Sequence, residues 1–270
     1  MRQWILAAVF ATVSVIGCDK TPPAPQAKKA MPDLSLPAPA YVKQGLPEID
    51  HPWSVDELET ALTTIRKMGS INGQCLPRYQ SPASGQVFAR MISEENYASL
   101  ADTAKPIDDR LPAAMNYLNT SGQILKLYFT AFRRDQVTPD EMIELVGSNL
   151  RACVMVLGRV DEFLPTLKTS DGRYQVRMNG LAKLKAGLAE VAGGAIMSLT
   201  ERQSYPLAAR QRLIVHLSEN LPTIVAHLSD DAKAQVLRQL DVLADNASNA
   251  DMQPALGKLR DDVTAAAAKK

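Results

Sequence analysis

Apolar side chains recur at intervals of three and four along the chain beyond residue 53. They show none of the period-two alternation that marks a strand. The first stretch opens at Ser54-Val55-Asp56-Glu57. Ser followed three residues later by Glu is a capping box, which satisfies two free N–H groups at a helix start. Val55, Leu58, Leu62, Ile65 and Met68 then line one face, and Gly69 ends the run. Residues 70–81 read as a loop. A shorter helical pair fits between Pro82 and Asp102, with Ser93 capping its second half.

Three long patterns follow. The first spans about Ile107 to Arg134, with Leu111, Met115, Leu118, Gly122, Leu125, Phe129 and Phe132 inward. Pro112 is tolerated there only in the first turn. The second begins at Thr138-Pro139-Asp140-Glu141, a second capping box with Pro at the first helical position. Its inward face is Val146, Leu150, Cys153, Leu157, Val160 and Leu164, and Pro165 ends it. The third runs from about Gly172 to Arg202, with Tyr174, Met178, Leu181, Leu188, Ala192, Ala195 and Leu199 inward. Gly193-Gly194 interrupts it. That patch allows a close helix contact, a bend, or a ligand near the backbone. Beyond Tyr205-Pro206 the pattern shortens to helices near 206–219, 222–228, 230–245 and 251–266, with Pro222 starting the second and Ser229 capping the third.

The whole predicts an all-α domain over residues 53–266, with a sub-boundary near 203–206. Short loops between long helices favour an antiparallel helical bundle. About three long helices make its body, with shorter N- and C-terminal helices.

The first 52 residues follow other rules. Arg2 precedes an apolar run from Trp4 to Ile16, which ends in Val15-Ile16-Gly17-Cys18. The run is too short to span a bilayer. Its basic start, apolar middle and small final residue read as a secretory signal. With Cys18 directly after Gly17, residues 1–20 resemble the signal peptide and lipobox of a bacterial lipoprotein. The resemblance implies cleavage after Gly17 and lipidation of Cys18. It also implies that Asp19 sorts the protein to the inner membrane, facing the periplasm, with the outer membrane as the other destination. Residues 18–52 hold Pro22, Pro23, Pro25, Pro32, Pro37, Pro39, Pro47 and Pro52 with no sustained period. Such a segment reads as a Pro-rich flexible tether reaching several tens of Å, at roughly 3.1 Å per residue where polyproline-like.

Composition narrows the partners. The chain has 30 basic and 29 acidic side chains, and loss of Arg2 with the signal peptide balances them. No clustered basic face points to nucleic acid. Cys75 and Cys153 remain once Cys18 is lipidated. In an oxidising compartment that pair is a candidate disulfide, worth up to about 4.5 kcal/mol in the chain-entropy model; two buried free thiols are the alternative.

The three histidines, His51, His216 and His227, offer no metal-ligand spacing. No serine-hydrolase elbow or phosphate loop is present. No catalytic residue, metal or cofactor is therefore assigned. One cluster suits an interface: Tyr128, Phe129, Phe132, Arg133 and Arg134, since rings and arginines are enriched at binding surfaces.

The expected function is a non-enzymatic, membrane-tethered adaptor for another envelope protein. One form of it is an inhibitor or immunity protein against a periplasmic toxin. The alternatives are a helical carrier of an apolar ligand or lipid, and an envelope hydrolase.

Overall fold

The computed structural model describes residues 45–72, 76–82 and 84–268. Cys18, Asp19, Cys75, the signal peptide and the tether as far as residue 44 lie outside them. The described chain is all-α and contains no strand among those residues. In chain order the helices are α1 Val55–Asn72, α2 Gly85–Met91, α3 Ile107–Phe132, α4 Pro139–Phe163, α5 Tyr174–Ser198, α6 Leu207–Ala226, α7 Asp230–Ala244 and α8 Gln253–Ala267. A 3-10 segment, Glu94–Leu100, joins α2 to the loop before α3.

Local signals place four of the starts. Ser54 and Glu57 bond reciprocally at α1. Ser93 accepts from the Glu95 N–H, and Ser229 from the Ala232 N–H. Thr138 and Glu141 form the capping box of α4. The body begins earlier than its first cap. Leu46 is buried, Thr64 donates its hydroxyl to the Gly45 carbonyl, and the Trp53 N–H bonds Asn96 Oδ1 at 2.8 Å. Residues 45–52 are thus part of the packed domain.

Helix α4 is the hub, with 14 of its 25 residues buried. It runs antiparallel to α3, as Arg110–Glu162 and Asn149–Ser121 contacts show. It runs parallel to α6, since Asp140, Glu144 and Asp161 meet Arg212, His216 and His227 in the same order. Helix α5 returns the chain between them. One core extends from Leu46 to Val263, and the chain passes 203–206 without leaving it: Tyr205 is 3% exposed. A satellite core under α3, α4 and α5 gathers Leu111, Ala114, Val156, Val160, Phe163 and Leu181.

Several expectations are corrected. Helix α1 continues through Gly69 to Asn72. Pro112 is the sixth residue of α3, beyond the first turn. Residues 206–228 do not split at Pro222: α6 is one helix of 20 residues with the proline inside it. Leu217, Leu221, Ile224 and Val225 are all buried around it. Burying four such side chains at about 1.5–3 kcal/mol each outweighs the roughly 3 kcal/mol penalty of a mid-helix proline.

Of the face expected for α3, Leu111 and Leu125 are buried and Leu118, Phe129 and Phe132 pack against the core, but the buried face is wider and excludes Met115. Ala114, Tyr117, Ile124, Tyr128 and Ala131 are buried, while Met115 is 40% exposed. Helix α5 runs unbroken through Gly193-Gly194. A methyl group on Gly193 would meet Gln239 of α7 at an ordinary 3.7 Å, so helix contact there does not demand glycine.

Candidate functional site

The proposed pairing of Cys153 is not formed. Cys153 is a free thiol, wholly buried on α4. Burial pushes its pKa up to about 12, so it packs as a small apolar side chain.

The five residues singled out at the end of α3 divide. Tyr128 belongs to the core: it is fully buried, donates its hydroxyl to the Pro77 carbonyl at 2.6 Å and meets Phe88 edge-on. Phe129 is half-buried, with the Arg133 guanidinium 5.7 Å above its ring. Arg133 and Arg134 are exposed. Phe132 stacks on Tyr205, centroids 5.3 Å apart and planes 19° from parallel.

That stack joins the C-terminus of α3 to the N-terminus of α6. It brings Pro206 and Leu207, which is 37% exposed, to the same corner. Arg210 and Arg202 lie there too. Arg210 Nε donates to the Tyr205 carbonyl at 3.2 Å, and Arg202 Nη2 donates to Asn249 Oδ1 at 2.9 Å. Sequence reading missed Tyr205, Arg202 and Arg210. They lie some seventy positions from Phe132, and no local period links them.

A second polar cluster lies in the seam between α4 and α6. His216 Nε2 is 3.5 Å from Glu144, and Arg212 reaches both Asp140 and Glu144. The His216 hydrogen bond, with the charges of His216, Arg212 and Arg151, holds the Glu144 carboxyl below the usual carboxylate range against the opposing effect of burial. The His216 ring lies against the α4 backbone at Gly147. Further along, His227 Nε2 meets both oxygens of Asp161 at 3.0 Å while Nδ1 faces the Thr223 carbonyl. These contacts lock two parallel helices together. His216 and His227 bind separate carboxylates along one helix, as their spacing requires.

Among the described residues no group of three or more His, Cys, Asp or Glu side chains is arranged to hold a metal ion, and no helix is long and apolar enough to cross a membrane. The chain matches no family model, no curated protein and no solved structure.

Proposed function

We propose that this chain is a lipid-anchored protein of a bacterial cell envelope whose helical body binds another envelope protein without catalysis. The observation that carries the reading is Val15-Ile16-Gly17-Cys18 closing a short apolar run behind Arg2. Lipid on Cys18 would hold the body at the membrane, because two acyl chains anchor stably at about 0.8 kcal/mol per buried CH₂. Asp19 favours retention at the inner membrane, facing the periplasm.

The body supports the reading mechanically. Residues 45–54 are tied to it by Leu46, by the Trp53 indole N–H on the Glu48 carbonyl and by the Trp53–Asn96 bond. Force on the Pro-rich segment would therefore meet a fixed point. The corner of Phe129, Arg133 and Arg134 offers exposed cations beside a ring, the composition that partner surfaces favour.

Two measurements test the proposal. Radiolabelled palmitate should enter the wild-type protein and not Cys18→Ala, and the variant should leave the membrane fraction. Equal labelling, or a variant wholly in membranes, overturns the anchor. A photo-crosslinking residue at position 134 should yield one discrete adduct in cells, and one at the exposed Gln235 of α7 should not. Identical patterns at the two positions overturn this corner as the binding surface.

A further inference from the structure

Arginines across the body are commonly held by carboxylates: Arg78 by Glu141, Arg90 by Glu95 and Arg151 by Glu94. One stretch departs from that pattern. Residues 164–189 hold Lys168, Arg173, Arg177, Lys183 and Lys185 with a single acid, Asp171. Asp171 is engaged by Arg177, which also meets Asp108 and lies 5.4 Å over the Phe163 ring. The acids at the end of α4 are taken as well. Glu162 meets Arg110 and Arg159, and Asp161 meets His227. Lys168, Arg173, Lys183 and Lys185 form no ion pair among the described residues.

The same stretch has an uncovered side. From Tyr174 to Gly187 only Leu181 is buried, and it faces the satellite core of α3 and α4. Arg173, Val176, Gly180 and Lys183 follow one another at intervals of three and four, so they share one side of the helix, turned away from Leu181. All four are exposed, Val176 to 72%. A methyl group on Gly180 would meet nothing within 4 Å, so no neighbour covers the middle of this stripe. Just before α5, Leu164 and Lys168 are exposed too.

Unpaired cations around an exposed valine, on a low open face, fit an anionic lipid surface. Clusters of about four to eight Lys and Arg on a helix attract anionic headgroups. Apolar side chains among them enter the headgroup layer shallowly. A protein partner is the poorer fit, because its strongest contacts are large rings and arginines seated in closed pockets. Tyr174 is the only ring between residues 164 and 189, and it is half-buried. The acids gather elsewhere. Residues 45–65 carry Glu48, Asp50, Asp56, Glu57 and Glu59 with no Lys or Arg. An anionic surface therefore attracts the α5 side of the body and repels its lead-in.

We propose that the outward face of α5, centred on Arg173, Val176 and Lys183 with Lys168 and Lys185 beside them, docks on an anionic lipid bilayer. The inference rests on the proposed envelope location for the membrane it meets. Lipid on Cys18 keeps the body near that membrane, and α5 sets which side lies against it.

The test is co-sedimentation of the purified full-length Cys18→Ala protein with lipid vesicles, so that no acyl anchor contributes. One set is phosphatidylcholine alone, and the other is equal parts phosphatidylcholine and phosphatidylglycerol. We expect the anionic set to be preferred by about a hundredfold or more, at roughly fivefold for each unpaired cation. The preference should vanish between about 0.1 M and about 1 M salt, as the screening length falls from about 10 Å to about 3 Å. Affinity from the apolar run at residues 4–16 would appear on both sets and does not contribute to the preference. Arg173→Gln with Lys183→Gln should weaken anionic binding about thirtyfold, with an unchanged circular dichroism spectrum. Lys258→Gln with Arg260→Gln removes the same charge from α8 and should leave binding as it was. Equal affinity for the two vesicle sets overturns the proposal. So does an equal loss in the two double variants, which would reduce the effect to net charge. A photo-crosslinking residue at position 183 that captures one discrete protein in cells assigns this face to a protein and also overturns it. Each of these failures leaves palmitate labelling at Cys18 untouched, so the two readings fall separately.

Discussion

Gly147 of α4 carries the ring of His216 directly against its backbone: a Cβ there would lie 2.6 Å from the imidazole. The ring cannot simply retreat, because Glu144 meets its Nε2 and Leu213, Leu217 and Asn220 are buried around it. Gly147→Ala should gain about 1 kcal/mol of helix propensity and lose more to overpacking. The expected net loss is about 1–2 kcal/mol, seen as a lower thermal midpoint. Adding His216→Ala should relieve the clash, so the double variant should be less destabilised than the sum of the singles. Strict additivity would show that the contact is not what demands glycine.

Glu141 joins a cap to an ion pair whose carboxylate is buried and whose arginine is half-buried. It is 1% exposed and takes Arg78 Nε at 2.7 Å, the Tyr79 N–H at 3.1 Å and the Thr138 hydroxyl at 2.6 Å. Glu141→Ala should remove the hydrogen bonds that hold Arg78, Tyr79 and the loop at residues 76–82, at a loss of about 2–3 kcal/mol. Thr138→Ala removes only the cap, about 1 kcal/mol. Urea unfolding of both variants checks the order. Equal losses would reduce Glu141 to a capping residue.

His51 clips the lead-in to α1. Its ring nitrogens meet Asp50 at 2.8 Å and Glu57 at 2.7 Å. The Glu57 and Asp50 hydrogen bonds raise the His51 pKa above its ordinary 6.5. The His51 hydrogen bond lowers both carboxyls from 3.8 for Asp50 and 4.5 for Glu57. A raised histidine stabilises fully below pH 6.5 and loses its contribution as pH rises through the folded value. The lowered carboxyls stabilise above their unfolded values and lose that contribution in acid. The clip is therefore firmest between about pH 4.5 and 6.5. Amide exchange at Trp53, with intrinsic rates corrected for pH, should show less protection at pH 8 than at pH 6. His51→Gln should remove that difference. A wild-type profile flat across this range would contradict the clip.

Pro222 is a local misfit held by the core. Pro222→Ala restores a helical N–H facing the Ser218 carbonyl. It also loosens the unfolded chain by about 0.4–1 kcal/mol. With a mid-helix penalty near 3 kcal/mol, the variant should be more stable by about 2 kcal/mol. A lower thermal midpoint would mean that α6 needs the proline for its packing.

Cys153 should resist iodoacetamide in the native protein, since burial both blocks access and suppresses the thiolate. Labelling should follow unfolding in urea. Rapid labelling of Cys153 in buffer, located by peptide mass spectrometry, would contradict its enclosed position.

What the amino-acid sequence determined by itself is local. Ser54 with Glu57, Thr138 with Glu141, and Ser229 each mark a helix start because their partners lie within one turn. The spacing of Leu150, Cys153, Leu157 and Val160 located the inner face of α4, because a strongly apolar helix presents one dominant stripe. The reading of Cys18 likewise rests on adjacent residues. Tertiary structure decided everything that depends on which helix meets which. The buried face of α3 widened beyond Leu111 and Leu125 to take in Ala114, Tyr117 and Tyr128, because Tyr128 finds the Pro77 carbonyl and Tyr117 packs on Tyr97. Helix α6 crossed Pro222 because burial on both sides outweighs one lost hydrogen bond. Gly147 beneath His216, Phe132 on Tyr205, and Arg110 on Glu162 each join residues tens of positions apart. A cap is settled by a few dihedrals and one hydrogen bond, whereas helix register is a sum of many weak contacts that exists only after the chain has packed.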